Sequence, residues 1–124
     1  MSKWNSADLE KIIQADDLHI APFRADGRTY GTPTWIWCVS EGGELFVRAY
    51  NGQSSRWYQA AISQKKGKIE AANKTFQVSF EAADPMKDDA IDEAYRQKYS
   101  GSPYLNSMIS ERARQATVKV IPAQ

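Results

Sequence analysis

The segment Asn51-Gly52-Gln53-Ser54-Ser55-Arg56-Trp57-Tyr58 gathers residue types that can hold an anion. A helix that starts after Ser54 or Ser55 offers free backbone N–H groups and a partial positive charge, which together bind phosphate. Two hydroxyls add donors, and Arg56 adds a planar fork that matches phosphate oxygens. The same residues also suit a plainer role, in which Ser54 or Ser55 caps the helix and Arg56 meets water. Arg48 interrupts the apolar stretch Leu45-Phe46-Val47-Arg48-Ala49-Tyr50. Strand alternation puts it on one face with Phe46 and Tyr50. There it either meets a phosphate or carboxylate in a groove, or turns outward to pair with Glu41 or Glu44. Arg24 and Arg28 flank a turn, where solvation is the simpler role.

Trp35, Trp37 and Trp57 have faces that can stack on a flat ring, but large aromatics are core-formers first. Tyr50 and Tyr58 could offer a hydroxyl to a substrate carbonyl, with the same reservation. His19 is the only histidine. It lies in an apolar stretch and suits a structural role. Cys38 alternates on a buried-looking strand, as a small core residue does. No second Cys or His stands at ligand spacing, so no zinc site is expected. Asp84, Asp88, Asp89, Asp92 and Glu93 read as helix-start charge and a solvated face, without the glycine or spacing of a calcium loop. Lys65, Lys66 and Lys68 make a short basic loop.

The elements that must position these residues follow from periodicity and turn chemistry. Met1 to Asp17 predicts an amphipathic helix with Ser6 as cap, Asp8 and Glu10 near its N-terminus, and Leu9, Ile12 and Ile13 on one face. Strands are expected at Leu18–Arg24, Thr32–Ser40, Glu44–Tyr50, Lys68–Ala72, Phe76–Ala83 and Thr117–Ile121. The second is apolar on both faces, as in a wall covered on both sides. Glycine turns at Ala25–Gly31 and Glu41–Glu44 join neighbouring strands. A helix is expected from Ser54 or Ser55 to about Ser63. Asp84-Pro85 opens another that runs to Tyr99, and Pro103 starts a third with the face Leu105, Met108, Ile109 and Arg112. Six short strands in so short a chain point to a barrel, because closure removes exposed edges. The expected fold class is α+β, a mostly antiparallel six-stranded split barrel with flanking helices, as one domain over residues 1–124.

Composition bounds the function. The chain has 124 residues, with 16 basic and 15 acidic side chains and a formal net charge of +1. A chain of that balance has no global field for nucleic acid or an anionic membrane. One cysteine allows no intrachain disulfide and suits a reducing compartment. Met1 to Glu10 contains no apolar run of the signal-peptide kind, and no stretch reaches the roughly 20 apolar residues of a membrane helix. A cytoplasmic location is therefore expected.

Three motifs in order carry a family resemblance. They are Gly27-Arg28-Thr29-Tyr30-Gly31-Thr32-Pro33, Gly43-Glu44-Leu45-Phe46-Val47, and the Asn51 to Tyr58 turn. With the downstream strands, roughly Leu18 to Val120 resembles the split-barrel flavin and deazaflavin oxidoreductases. It is most similar to their deazaflavin-dependent nitroreductase branch, as an uncharacterised bacterial subgroup. The resemblance implies a homodimer with FMN or the 8-hydroxy-5-deazaflavin coenzyme between barrel and middle helix. It implies that the cofactor ring carries hydride to a small organic acceptor without a catalytic side chain. The cofactor residues implied are Arg28, Thr34, Arg48, Asn51, Ser54, Ser55, Arg56 and Trp57. The ring would lie near Trp57 and the Thr34–Ile36 backbone. The turn before Trp57 holds less lysine and glycine than the family pattern, and the Gly27 turn has one basic residue where relatives have two. A long, multiply charged deazaflavin tail would be held less well. The alternative is a non-enzymatic binder of an aromatic or lipid-like ligand on the same barrel.

Overall fold

A computed structural model describes residues 3–123. Met1 and Ser2, the first residues of the expected N-terminal helix, lie outside the described residues. Helix α1 spans Ser6–Ala15, and Asn5 rather than Ser6 caps it, accepting from the Ala7 and Asp8 amides. Strands β1 (His19–Pro22), β2 (Thr34–Trp35), β3 (Cys38–Glu41) and β4 (Glu44–Arg48) follow. A short 3-10 turn, Gly52–Ser54, leads into α2 (Arg56–Gln64). Then come β5 (Lys66–Ala71), β6 (Lys74–Ala82), α3 (Asp88–Lys98), α4 (Leu105–Met108), α5 (Glu111–Arg114) and β7 (Thr117–Pro122).

The strands form one antiparallel sheet of seven in the order β2-β1-β5-β6-β7-β4-β3. The expected six become seven because the Thr32–Ser40 stretch does not run as one strand. It ends β2 on one edge of the sheet and begins β3 on the other, with only Ile36 and Trp37 between. The three Cα steps from Trp35 to Cys38 span at most about 11 Å. The two edges must therefore approach each other, so the sheet curls into a half-barrel. An apolar pattern on both faces fits either a straight buried strand or this crossing.

Local chemistry sets the hairpins. Glu41 pairs with Glu44 across Gly42 and Gly43, both with positive φ, as the two-residue turn matching strand twist requires. The single helix expected after Pro103 is two short ones, because Ser110 ends the first run and caps α5 through its hydroxyl.

Alternation sorts the core into two. On the inner face Leu45, Val47, Ile69, Val78, Phe80, Val118 and Val120 meet Leu9 and Ile12 of α1 and Ala61 of α2. On the outer face of β3 and β4, Val39 and Phe46 meet Ile91, Tyr95 and Tyr99 from the region of α3, and Met108 of α4. Each such side chain contributes roughly 1.5–3 kcal/mol when fully buried. Among the described residues no helix is long and apolar enough to cross a membrane.

Candidate functional site: an aromatic cavity at the sheet crossing

Where the chain crosses between the two sheet edges, a cavity of about 850 Å³ opens. Its first wall is the crossing itself, Thr34 to Trp37. Facing it are Arg48, Tyr50 and Asn51 at and beyond the end of β4, then Ser55, Arg56 and Trp57 at the start of α2. Tyr104 and Met108 close a third side. The volume falls within the roughly 300–1,000 Å³ of small-ligand sites.

The walls are held by specific contacts. Trp37 stacks flat on Tyr99, with ring centroids 3.9 Å apart and planes at 5°. The Tyr99 hydroxyl donates to an Asp16 carboxylate oxygen at 2.6 Å and accepts from the Cys38 amide at 3.2 Å. Burial, and the bond to Asp16, push the ionisation of this phenol well above its ordinary value. Trp57 packs against the inner core and meets Tyr58 edge-on. Trp35, Tyr50 and Tyr104 are the exposed rim, at 50%, 42% and 58% accessibility. Tyr50 and Tyr104 approach edge to face at 6.1 Å. Gly52, with φ +76°, makes room for Arg112, whose Cγ would lie 2.5 Å from an added Cβ. Arg112 then donates from Nε to the Tyr50 carbonyl at 3.1 Å.

The structure brings together six of the eight residues expected to hold a cofactor: Thr34, Arg48, Asn51, Ser55, Arg56 and Trp57. Ser54 is not among the lining residues, and its hydroxyl bonds the Asn51 carbonyl within the turn. Arg28 is not in the cavity either. Asp26 folds its loop by accepting from the Arg28 and Thr29 amides. The neighbouring Gly27 sits by Gln64, at the opposite end of α2 from Arg56. Ser55 occupies the N-cap position of α2, yet its side chain makes no capping bond. Arg56 is exposed and makes no ion pair among the described residues.

Arg48 borders the cavity but does not turn outward to Glu41 or Glu44, and its guanidinium is engaged by a carboxylate of the chain itself. It is 1% exposed, and Glu41 and Glu44 pair with Lys87 instead, at 3.3 and 3.1 Å. Its Nε donates to the Thr117 hydroxyl at 2.9 Å. Its Nη1 bonds the Asp92 carboxylate and the Met108 carbonyl, and its Nη2 the Asp88 carbonyl. Asp92 also binds Arg114, which reaches Asp89 at 3.1 Å. Asp92 is thus 1% exposed, a buried counter-ion and not part of a solvated acidic face. Burial raises the pKa of the neighbouring Asp88 carboxyl, against the pull of Arg48 and Arg114. Cys38 is buried, and that burial pushes its thiol up to about 11, despite Lys98 nearby. His19 bonds its own loop at the Asp17 carbonyl, in a structural role.

Tyr104 and Met108 were not legible as cavity residues. Their signal is faint: an aromatic just after Pro103, and a methionine one helical turn on.

Among the described residues the lining contains no carboxylate, imidazole, amine or thiol. A ligand bound there meets flat aromatic walls, a helix start with a free hydroxyl, and one exposed guanidinium. No curated protein matches the chain. The solved structure of the conserved hypothetical protein Rv2991 from Mycobacterium tuberculosis is similar in fold, with a TM-score of 0.64 and 13% identity over 95% of this chain and 78% of that one. The family described as "uncharacterized protein conserved in bacteria" (DUF2255) matches residues 8–120, and the chain belongs to it.

Proposed function

We propose that the cavity is a cofactor site and that the protein is a flavin- or deazaflavin-dependent oxidoreductase reducing a small organic acceptor. The observation that carries this is the lining itself. It has shape and anion-binding groups, and its hydroxyls, on Thr34, Tyr50, Ser55 and Tyr104, stand without a lining imidazole, carboxylate or amine to activate them. Chemistry in such a cavity must come from the molecule it holds. The residues fit that group. Trp37 and Trp57 are flat walls for a ring, and Thr34 and Ile36 border the same space. Ser55 and Arg56 stand ready for a phosphate at the first turn of α2, where the helix dipole favours an anion. FMN or the 8-hydroxy-5-deazaflavin coenzyme, when bound, would supply the hydride. The chain's own residues would orient it and exclude water.

The close approach of the two sheet edges supports a split barrel as the finer fold class. The exposed rim of Trp35, Tyr50 and Tyr104 supports a homodimer that covers the cavity mouth, and the lone, buried Cys38 fits a cytoplasmic setting. Titration of the purified protein with FMN and with the deazaflavin coenzyme, read by tryptophan quenching, tests the assignment. Saturable micromolar binding followed by turnover of a nitro- or quinone-type acceptor is expected. No binding of either cofactor would sink it. The second reading, a non-enzymatic binder of an aromatic ligand, draws on the same lack of an activating base beside the lining hydroxyls. Tight binding without redox turnover would select it.

A further inference from the structure

We propose that the cavity selects planar aromatic ligands carrying one anionic group, docked with that group at Arg56, and that further negative charges add no affinity. The proposal builds on the cofactor-site assignment above and narrows it.

Two cations border the cavity, Arg48 and Arg56. They are not equivalent. Arg48 is enclosed and bound to Asp92, with Asp88 a further 3.7 Å from its Nη2. Arg114 behind it is shared between Asp92 and Asp89. Two guanidiniums thus face three carboxylates at the α3 end, which carries no surplus positive charge. Arg56 faces the cavity from the first turn of α2, without an acidic partner among the described residues. The unengaged Ser55 hydroxyl beside it is an added neutral donor.

The charge is therefore polarised along the cavity. An anion at the α2 end gains a charge-assisted bond and the helix dipole. An anion at the α3 end gains neither, because the one cation lining it, Arg48, is already paired with Asp92. At the mouth, a second or third anionic group meets the rings of Trp35, Tyr50 and Tyr104. Arg112 lies near this rim, but it donates to the Tyr50 carbonyl, and its guanidinium sits 5.8 Å from the Tyr50 ring centroid, outside the lining.

The test is a charge ladder on a constant ring. Riboflavin is compared with FMN, and the tail-less deazaflavin chromophore with the full deazaflavin coenzyme and its glutamate tail. Expected is one step: FMN binds at least about tenfold tighter than riboflavin, as one charge-assisted contact allows. The tailed deazaflavin gains no more over its chromophore than FMN gains over riboflavin. Arg56→Gln, at an exposed position, removes the step, so that riboflavin and FMN bind this variant equally. Arg112→Gln leaves the step intact. Equal binding of riboflavin and FMN would overturn the proposal, as would affinity that climbs with each added charge or a step that depends on Arg112. A second pair, 2-naphthol and 2-naphthyl phosphate, separates this failure from that of the cofactor assignment. If no flavin or deazaflavin binds but the naphthyl pair shows the step, the cofactor assignment falls and the charge rule stands. If the naphthyl pair shows none, the charge rule falls.

Discussion

The two faces of the curled sheet are buried by different chemistries. The inner face meets α1 and α2 through mostly aliphatic side chains, and among the described residues neither buried charged side chain, Arg48 or Asp92, points into it. The outer face of β3 and β4 meets α3 and α4 around a buried arginine, a buried aspartate and two tyrosines. An apolar cluster loses stability gradually as methyl groups are removed. A buried ion pair keeps its stability only while both partners remain. The cavity lies along the seam, with Ile36 from the inner cluster on one wall and Met108 from the outer cluster on another.

The contrast is sharpest at Asp92. Asp92→Ala leaves Arg48 buried without its counter-ion and is expected to cost about 3–5 kcal/mol in urea unfolding. Replacing both partners, Arg48→Met with Asp92→Leu, should recover most of that loss. A double variant as unstable as the single one would mean that the network, and not the uncompensated charge, sets the penalty. On the inner face, Ile69→Ala should cost about 2–5 kcal/mol and Ile69→Val only about 0.5–1.5 kcal/mol, a graded series with no all-or-none step. In the outer cluster the buried Tyr95 hydroxyl has no hydrogen-bond partner among the described residues. Tyr95→Phe should therefore raise stability by about 1 kcal/mol, and a loss of that size would reveal a hidden partner.

The smallest effect belongs to the surface. Burial of the Glu44 carboxyl is outweighed by Lys87 and Lys119, which hold it below its ordinary 4.5. Its contribution is present above that unfolded value and fades as pH falls through the lower folded one. Glu44→Gln should lower stability by under about 1 kcal/mol at neutral pH, with the difference from wild type closing in acid. A difference that persists in acid would assign the effect to packing.

The sequence made part of the inner face legible because β6 alternates with period two, Phe76, Val78 and Phe80 against Gln77, Ser79 and Glu81, and that pattern is local. The outer face was not legible in this way. Arg48 stood out as a lone charge in an apolar strand, but its partner Asp92 lies 44 positions away on a helix whose start looked merely acidic. Only the packing of α3 on β3 brings the two together. The cavity was half visible for a similar reason. The Asn51 to Trp57 turn is contiguous and carries its own chemistry, whereas Tyr104 and Met108 reach the site through tertiary packing. The crossing at Ile36 and Trp37 was hidden because both sheet edges draw on one apolar run.

The strand order also bears on when the molecule can fold. Strand β7 pairs with β4 on one side and β6 on the other, and Arg48 finds Thr117 across 69 positions. Before β7 forms, the chain through Gln115 can hold two sheet fragments, β2-β1-β5-β6 and β4-β3, tied through the short Ile36–Trp37 crossing but with no hydrogen-bonded ladder between them. Strand β7, which follows the other six in chain order, must insert between these halves, a contact of high sequence separation that slows folding. Until then each half presents a bare edge, so the nascent chain depends on the speed of one late insertion to avoid pairing with its neighbours.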